Sequence, residues 1–201
     1  LKKIIYISTI LLYPDSLERQ KEKTKPSPQT LYEAVKFREE TGLIQFNKKY
    51  RIKLCLIRLT NVYGGVKNKG IVSRIFQSAM EDTPLAISGD GKQKRDYLFI
   101  EDAATLVDYL IFTNQPKPME IYNVSSGKTY TVRQLLKQIE KITHKKIKQI
   151  IYRPATDKRN ILADNKKVLS LAGYKIKFNL HRGLEKTYKD HLVIHKNIRH
   201  G

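Results

Sequence analysis

Short runs of consecutive apolar residues alternate along this chain with longer stretches of helical periodicity, the pattern of a parallel sheet whose strands are joined by crossover helices. Ile4 to Ser8 and Lys53 to Leu59 read as strands buried on both faces. Between them, Leu12 to Pro28 is polar and holds three prolines, so it is a loop, and Gln29 to Tyr50 is helical in pattern with Thr30 as its candidate cap. Asn61 to Gly65 reads as a turn, Ile71 to Met80 as a helix, Leu85 to Ser88 as a short strand and Gly89 to Lys92 as a tight turn. Asp96 to Ile100 is predicted as a strand feeding a helix from Glu101 to about Phe112. After Pro116-Lys117-Pro118 come a strand (Ile121 to Val124), a helix (Val132 to Ile142) and a strand (Lys148 to Tyr152). Two short helical stretches follow, near Asn165 to Leu171 and His181 to Leu192.

At 201 residues and 40% apolar content, the chain can bury the core of one large domain or two small ones. Its formal net charge of +20 comes mostly from lysines scattered along the whole sequence. Dispersed lysine describes a solvated surface rather than a nucleic-acid stripe, and a pocket collecting a few such charges would suit a diphosphate. The lone cysteine, Cys55, lies inside the apolar run Leu54 to Ile57. It reads as a small buried hydrophobe, and its solitude points to a reducing, cytoplasmic setting. The opening Leu1 to Leu12 has a basic start and an apolar run, but Pro14-Asp15-Ser16 interrupts it too early for a membrane span and no small-x-small cleavage site follows. A first residue of Leu rather than Met raises the expectation that the chain begins inside a longer reading frame. No long linker separates the two lobes that the elements imply, so they should share an interface.

One pair of residues carries candidate chemistry. Tyr32 and Lys36 stand four apart, hence on one face of the predicted helix. A lysine charge near a phenol favours the phenolate and lets the tyrosine exchange a proton with a substrate hydroxyl. The preceding strand ends in Ser8-Thr9, whose hydroxyls would lie at the carboxyl edge of the sheet, where ligands of open parallel sheets bind.

An apolar strand ending in Ser/Thr (Ile4 to Thr9), a Tyr-Pro pair (Tyr13-Pro14) and the Tyr32 to Lys36 turn are followed by Ile57-Arg58-Leu59-Thr60-Asn61-Val62-Tyr63-Gly64. Then come Leu85-Ala86-Ile87-Ser88-Gly89-Asp90-Gly91, Arg95-Asp96-Tyr97-Leu98-Phe99-Ile100-Glu101-Asp102, Ile121-Tyr122-Asn123-Val124-Ser125-Ser126-Gly127 and Ala163-Asp164-Asn165-Lys166. In that order these segments resemble the extended short-chain dehydrogenases of the epimerase and dehydratase group. The resemblance implies an α/β chain holding the C-terminal half of a Rossmann-type parallel sheet, residues 1–63, and a smaller α/β nucleotide-sugar-binding lobe, residues 64–201, with 96–112 packing back on the sheet.

By the same resemblance Tyr32 is the acid/base, Lys36 binds the nicotinamide ribose and tunes that tyrosine, and Thr9 hydrogen-bonds the reacting sugar hydroxyl. The cofactor so implied is NAD or NADP, and the substrate a nucleotide-diphosphate sugar. Asn61 matches a nucleotide-sugar contact, Ala86 and Ile87 the strand flanking the nucleobase, and Arg95 the arginine facing the diphosphate. Arg153 and Asp157 fall near an Arg-x-x-Asp contact to phosphate and ribose, with one residue more between them. A homodimer through the Tyr-Lys helix is a further family habit.

Two departures shape the expectation. Dehydratases of the group carry Asp-Glu directly after the Ser/Thr because elimination needs an extra acid and base, whereas this chain has Ile10 and Leu11. Epimerisation or reduction at one sugar carbon is left. The glycine-rich turn that cradles the dinucleotide and the acidic ribose residue are both absent, so roughly 100 residues of βα units are expected to lie in a missing N-terminal half. Three alternatives accompany this reading: an inactive truncated relative, a basic nucleic-acid-binding module, and a metal site from His191 and His195 at helical spacing.

Overall fold

The computed structural model describes residues 2–65, 67–113, 117–154 and 159–199, with side chains as far as Val193. In chain order, β1 (Lys3–Thr9) leads through a 3-10 turn (Ile10–Leu12) and β2 (Arg19–Gln20) to α1 (Leu31–Tyr50), β3 (Lys53–Leu59) and β4 (Asn61–Tyr63). Then come α2 (Ile71–Glu81), β5 (Leu85–Ser88), β6 (Lys94–Phe99), α3 (Ile100–Phe112) and β7 (Met119–Val124). β8 (Thr129–Thr131), α4 (Val132–Thr143), β9 (Ile150–Arg153), β10 (Leu162–Ala163), α5 (Lys166–Leu169) and α6 (Leu180–Arg199) complete the described chain.

β1, β3 and β7 form a parallel sheet in the order β1-β3-β7, in a register that aligns Thr9 with Leu59 and Leu59 with Val124. The middle strand has a partner on each edge, and its residues Leu54 to Arg58 are all buried. Among the described residues β1 has β3 on one edge only, which corrects the expectation of a fully buried first strand: Ile4, Ile5 and Tyr6 are half-buried and Ile7 is 40% exposed. The opposite face of the sheet is covered by α3, whose Ala103, Leu106 and Leu110 join Cys55, Ile57, Tyr122 and Val124 in one apolar cluster.

α1 starts where Thr30 and Glu33 form a reciprocal capping box, each side chain bonded to the other's backbone N–H. It stops at Arg51, which turns left-handed at φ 54° and returns its N–H to the Asn47 carbonyl. Its buried residues are Glu33, Glu40 and Asn47. A seven-residue spacing is close to two helical turns, so these three lie along one narrow stripe. The helix that the sequence marks for chemistry is thus docked through polar groups, while Leu31, Val35, Phe46 and Tyr50 remain exposed. At the centre of the stripe Arg58 of β3 donates from Nε and Nη2 to both Glu40 oxygens, at 3.0 and 2.6 Å, with both side chains almost fully buried. Its Nη1 donates to the Tyr13 phenol at 2.9 Å, which in turn donates to Asn123 Oδ1 of β7 at 2.7 Å. Burial opposes the charge on Arg58, and Glu40 with Tyr13 outweighs it, so the guanidinium is held protonated.

The remaining strands make small ladders: β4 parallel to β6, β6 antiparallel to β8, β5 parallel to β9 and β10 parallel to β2. Asn61 to Tyr63 is therefore a strand and not the expected turn, because its backbone finds Tyr97 to Phe99 alongside. The two-residue strands β2 and β10 are paired 143 positions apart at Arg19 and Leu162, a distance no local pattern signals. A second cluster gathers Ile75 and Phe76 of α2, Ile87 of β5, Leu135 and Ile139 of α4 and Leu184 of α6. α6 crosses this core at Gly183, where an added Cβ would collide with the Tyr63 hydroxyl, so glycine permits the approach.

Asp96 of β6 is 1% exposed. Its Oδ1 accepts the Ser126 N–H at 2.8 Å and its Oδ2 has no partner among the described residues. Burial pushes this carboxyl up to about 6, against the hydrogen bonds from Ser126 and Gly127 and the charge of Arg19.

Two outcomes follow from these buried groups. Replacing Arg58 by Met strands an ionised Glu40 and should cost about 3–5 kcal/mol in urea unfolding, most of it recovered in the Arg58→Met, Glu40→Leu double variant. For Asp96 the folded pKa lies above the unfolded one, so its contribution is complete below about pH 4 and is lost as pH rises through about 6. Asp96→Asn should therefore unfold at higher urea than the native chain at pH 7.5, by on the order of 2 kcal/mol, with the two converging near pH 4.

Candidate functional site

Thr9 ends β1 at the carboxyl edge of the sheet, level with the ends of β3 and β7. It is 7% exposed, and its Oγ1 accepts the Leu11 N–H at 3.2 Å, capping the 3-10 turn. That turn buries Ile10 and Leu12 at 2% and 0% exposure, and Ile10 packs with Tyr13, Ile161 and Ala163. Of the three positions directly after Thr9, Ile10 and Leu12 are buried and Leu11 is half-buried, and none is ionisable.

α1 runs from this same edge back toward the start of β3. Its first turns bring Lys36 to β1, where Nζ donates to the Tyr6 phenol at 2.9 Å and to the Ile7 carbonyl at 3.3 Å, two residues before Thr9. The ammonium also lies 4.7 Å from the Tyr6 ring centroid and 3.5 Å from a Glu39 oxygen, and the Tyr6 phenol donates to Glu39. Its bond to Tyr6, working against desolvation, holds the Lys36 ammonium above the usual lysine range. Burial and the Glu39 bond raise the Tyr6 phenol, against the opposing pull of Lys36. Tyr32 sits one turn earlier, 53% exposed, and its hydroxyl has no partner among the described residues. Of the three residues singled out in the sequence, Lys36 lies on β1 two residues before Thr9, and the phenol that touches it is Tyr6, which the sequence reading passes over.

The other candidates occupy the small ladders. Asn61 Nδ2 and Thr60 Oγ1 both donate to the Asp96 carbonyl, at 2.9 and 3.0 Å. On β5, Ala86 is half-buried, whereas the Ile87 side chain is 1% exposed and belongs to the core, so only its backbone can meet a ligand. Arg153 is exposed at the end of β9, in register with Ser88. Arg95 donates through Nη1 to the Arg159 carbonyl at 2.6 Å and to its neighbour's carbonyl at 3.0 Å. Asp157 lies outside the described residues, as does the His195 side chain, while His191 stacks 5.5 Å from the Phe76 ring. Among the described residues no group of His, Cys, Asp or Glu could hold a metal ion, and no helix is long and apolar enough to cross a membrane.

Glu33 and Arg159 are an addition that sequence reasoning missed. Arg159 Nη2 donates to Glu33 Oε1 at 2.6 Å and Nη1 to Oε2 at 3.3 Å, with Glu33 also accepting the Gln29 N–H at 2.6 Å. Desolvation works against this carboxylate, but the Arg159 and backbone bonds outweigh it and hold its pKa below the usual range. The capping-box spacing marks Glu33, yet nothing local marks its partner 126 residues on.

An exposed phenol, a cation and a buried hydroxyl at one sheet edge are groups that could hold a ribose and exchange a proton with a sugar hydroxyl. The profile of the NAD dependent epimerase/dehydratase family matches residues 1–125. The UDP-glucuronate 4-epimerase of Thermodesulfobacterium geofontis (strain OPF15) is 27% identical over 208 residues, covering 98% of this chain and 62% of that protein. The dTDP-D-glucose 4,6-dehydratase of Mus musculus is 26% identical over 197 residues, 92% of this chain and 54% of that one. The crystal structure of a UDP-glucuronic acid 4-epimerase from Bacillus cereus, in complex with UDP-glucuronic acid and NAD, matches with a TM-score of 0.89 at 25% identity, over 96% of this chain and 62% of that chain. The chain therefore spans 54 to 62% of the length of these relatives. With its ordered motifs, its parallel sheet and more than half its length matched, it belongs to the NAD dependent epimerase/dehydratase family.

Proposed function

We propose that this chain supplies the proton-transfer groups and the nucleotide-sugar lobe of an NAD(P)-dependent nucleotide-sugar epimerase or reductase. The observation that supports the proposal is the bond from Lys36 Nζ to the Ile7 carbonyl, two residues before Thr9, which sets the first turns of α1 beside the end of β1, with the buried Ile10 and the half-buried Leu11 after Thr9. In this reading Thr9 Oγ1 holds the reacting sugar hydroxyl, Tyr32 takes and returns its proton, and Lys36 keeps a positive charge beside the nascent phenolate. Bound at this edge, the nicotinamide supplies the hydride acceptor and donor. Arg95 and Arg153 face the diphosphate, with Asn61, Ala86 and the Ile87 backbone along the nucleotide. The relatives named for UDP-sugars direct the expectation to a UDP-linked hexose.

Elimination of water asks for a further acid and base beside the tyrosine. Ile10 and Leu11 offer neither, which favours epimerisation or reduction even though one of the relatives is named a dehydratase. The free edge of β1 is where we place a further strand of the dinucleotide-binding sheet, since a parallel sheet is ordinarily covered there. The exposed apolar side chains of α1 are the surface we assign to self-association. The buried lone thiol of Cys55 fits a cytoplasmic setting. A second reading, an inactive relative, draws on the commitment of Lys36 to Tyr6 and Glu39 rather than to Tyr32.

The test is turnover of UDP-linked hexoses by the intact protein supplied with NAD or NADP. Tyr32→Phe should lower turnover by about 10²–10⁴-fold while UDP and cofactor binding persist. Native-like turnover in that variant would sink the assignment. A native protein that binds both ligands and converts no sugar would establish the inactive reading instead.

A further inference from the structure

A cavity of about 530 Å³ opens where the turn between β7 and β8 meets the segment that joins α5 to α6, a volume within the range of small-molecule sites. Lys128 and Tyr130 reach it from the turn and β8, Lys175, Ile176 and Lys177 from the joining segment, and Leu169 from the end of α5. None of them is among the candidate nucleotide-sugar contacts. Tyr174, also in the wall, packs with Leu106 and Leu110 of α3. That places this wall on the far side of the sheet from α1, because Ile57 meets α3 while its neighbour Arg58 turns the other way to Glu40. The wall is held by α3: Asp102, 1% exposed, accepts the N–H groups of Lys177 and Phe178 at 2.8 and 3.1 Å, and the Tyr174 phenol donates to the Asp102 carbonyl at 3.3 Å. The three lysine side chains take no part in this, and among the described residues they make no hydrogen bond or ion pair.

We propose that this cavity binds a small organic anion in which a dianionic group, such as a phosphate ester, is joined to an apolar or aromatic body. The described lining holds three ammonium groups and no acidic side chain. Like charges facing one concave space repel one another, and the concavity focuses their field, so an anion relieves the arrangement. Asp102 answers part of the Lys177 charge, but its two oxygens are each taken by a backbone N–H behind the wall. Lysines meet a phosphate as point charges, and the half-buried Tyr130 carries a phenolic O–H that can donate to the same group. Leu169, 44% exposed, and the half-buried Ile176 and Phe178 supply apolar surface for the body of the ligand. An inorganic ion would use the lysines alone, whereas an ester draws on both kinds of lining. This site is independent of the nucleotide-sugar reading and does not require it.

The probe is p-nitrophenyl phosphate, titrated by calorimetry into the intact protein beside inorganic phosphate and p-nitrophenol. The ester should bind about tenfold more tightly than either of its halves. Lys175→Gln combined with Lys177→Gln should weaken it about tenfold. Lys137→Gln with Lys141→Gln, which removes the same charge from exposed positions on α4, should leave its affinity unchanged. Bound ester should also slow amide hydrogen exchange across residues 174–180. Equal weakening by the two double variants would reduce the binding to attraction by net charge and overturn the site. Inorganic phosphate binding as tightly as the ester, or no saturable binding of the ester, would overturn it too. Protection centred on Leu85–Ser88 with 174–180 unchanged would move the ester to the nucleotide-sugar contacts, so the cavity would fall while that reading gained support.

Discussion

The ion pair between Arg58 and Glu40 is the constraint on which the rest of the arrangement depends. Both groups are almost wholly out of water, and each of the two bonds uses a different carboxylate oxygen. A pair of this kind adds little stability over an apolar one of the same shape, because removing two charges from water costs about as much as their attraction returns. Its value is geometric. A leucine on α1 could slide or rotate against β3, whereas a guanidinium meets a carboxylate in few orientations. The third donor nitrogen of Arg58 reaches Tyr13, and Tyr13 reaches Asn123, so one residue sets the relation of β3, α1, β7 and the chain that leaves Thr9.

The same logic extends along α1. Its three buried residues are polar and each is answered by a different part of the molecule: Glu33 by Arg159, Glu40 by Arg58, and Asn47 by the carbonyls of Ile52 and Pro118. Three directional contacts along one stripe fix rotation, translation and tilt together. Leu31, Val35, Phe37, Phe46 and Tyr50 face outward, and Leu43 and Ile44 are half-buried. This inverts the usual amphipathic helix and is the reason its hydrophobic pattern shows no clear inner face.

The strands were legible because apolar runs such as Leu54 to Ile57 have few other fates, and the start of α1 was legible because Thr30 and Glu33 spell a capping box. Partnership over long sequence separation was not. The exposure of β1 depends on which strands flank it and not on its composition, so Ile7 looks as apolar as Ile57 while standing in a different environment. Asn61 to Tyr63 has turn-forming composition at its end, and only the presence of Tyr97 to Phe99 alongside makes it a strand. Of the candidate site, Thr9, Tyr32 and Lys36 were singled out by spacing and resemblance, and Lys36 is found on β1 beside Ile7. Tyr6 could have been found from the two-residue alternation that puts it on the same face of β1 as Ser8, and it was overlooked as one more apolar strand residue. Arg159 could not, since its role exists only through Glu33.

Several of the chain's acids are turned inward, which leaves its positive charge less opposed at the surface. The sequence holds 39 basic residues against 19 acidic ones, and several of the acids are engaged inside. Glu33 and Glu40 hold α1, and Asp102 accepts the N–H groups of Lys177 and Phe178 ahead of α6. Asp96 binds the Ser126 N–H, and Glu120 takes Lys117 and Lys167. Each acid so used is one fewer to neutralise the surface. Arg95 donates through Nη1 to the Arg159 carbonyl.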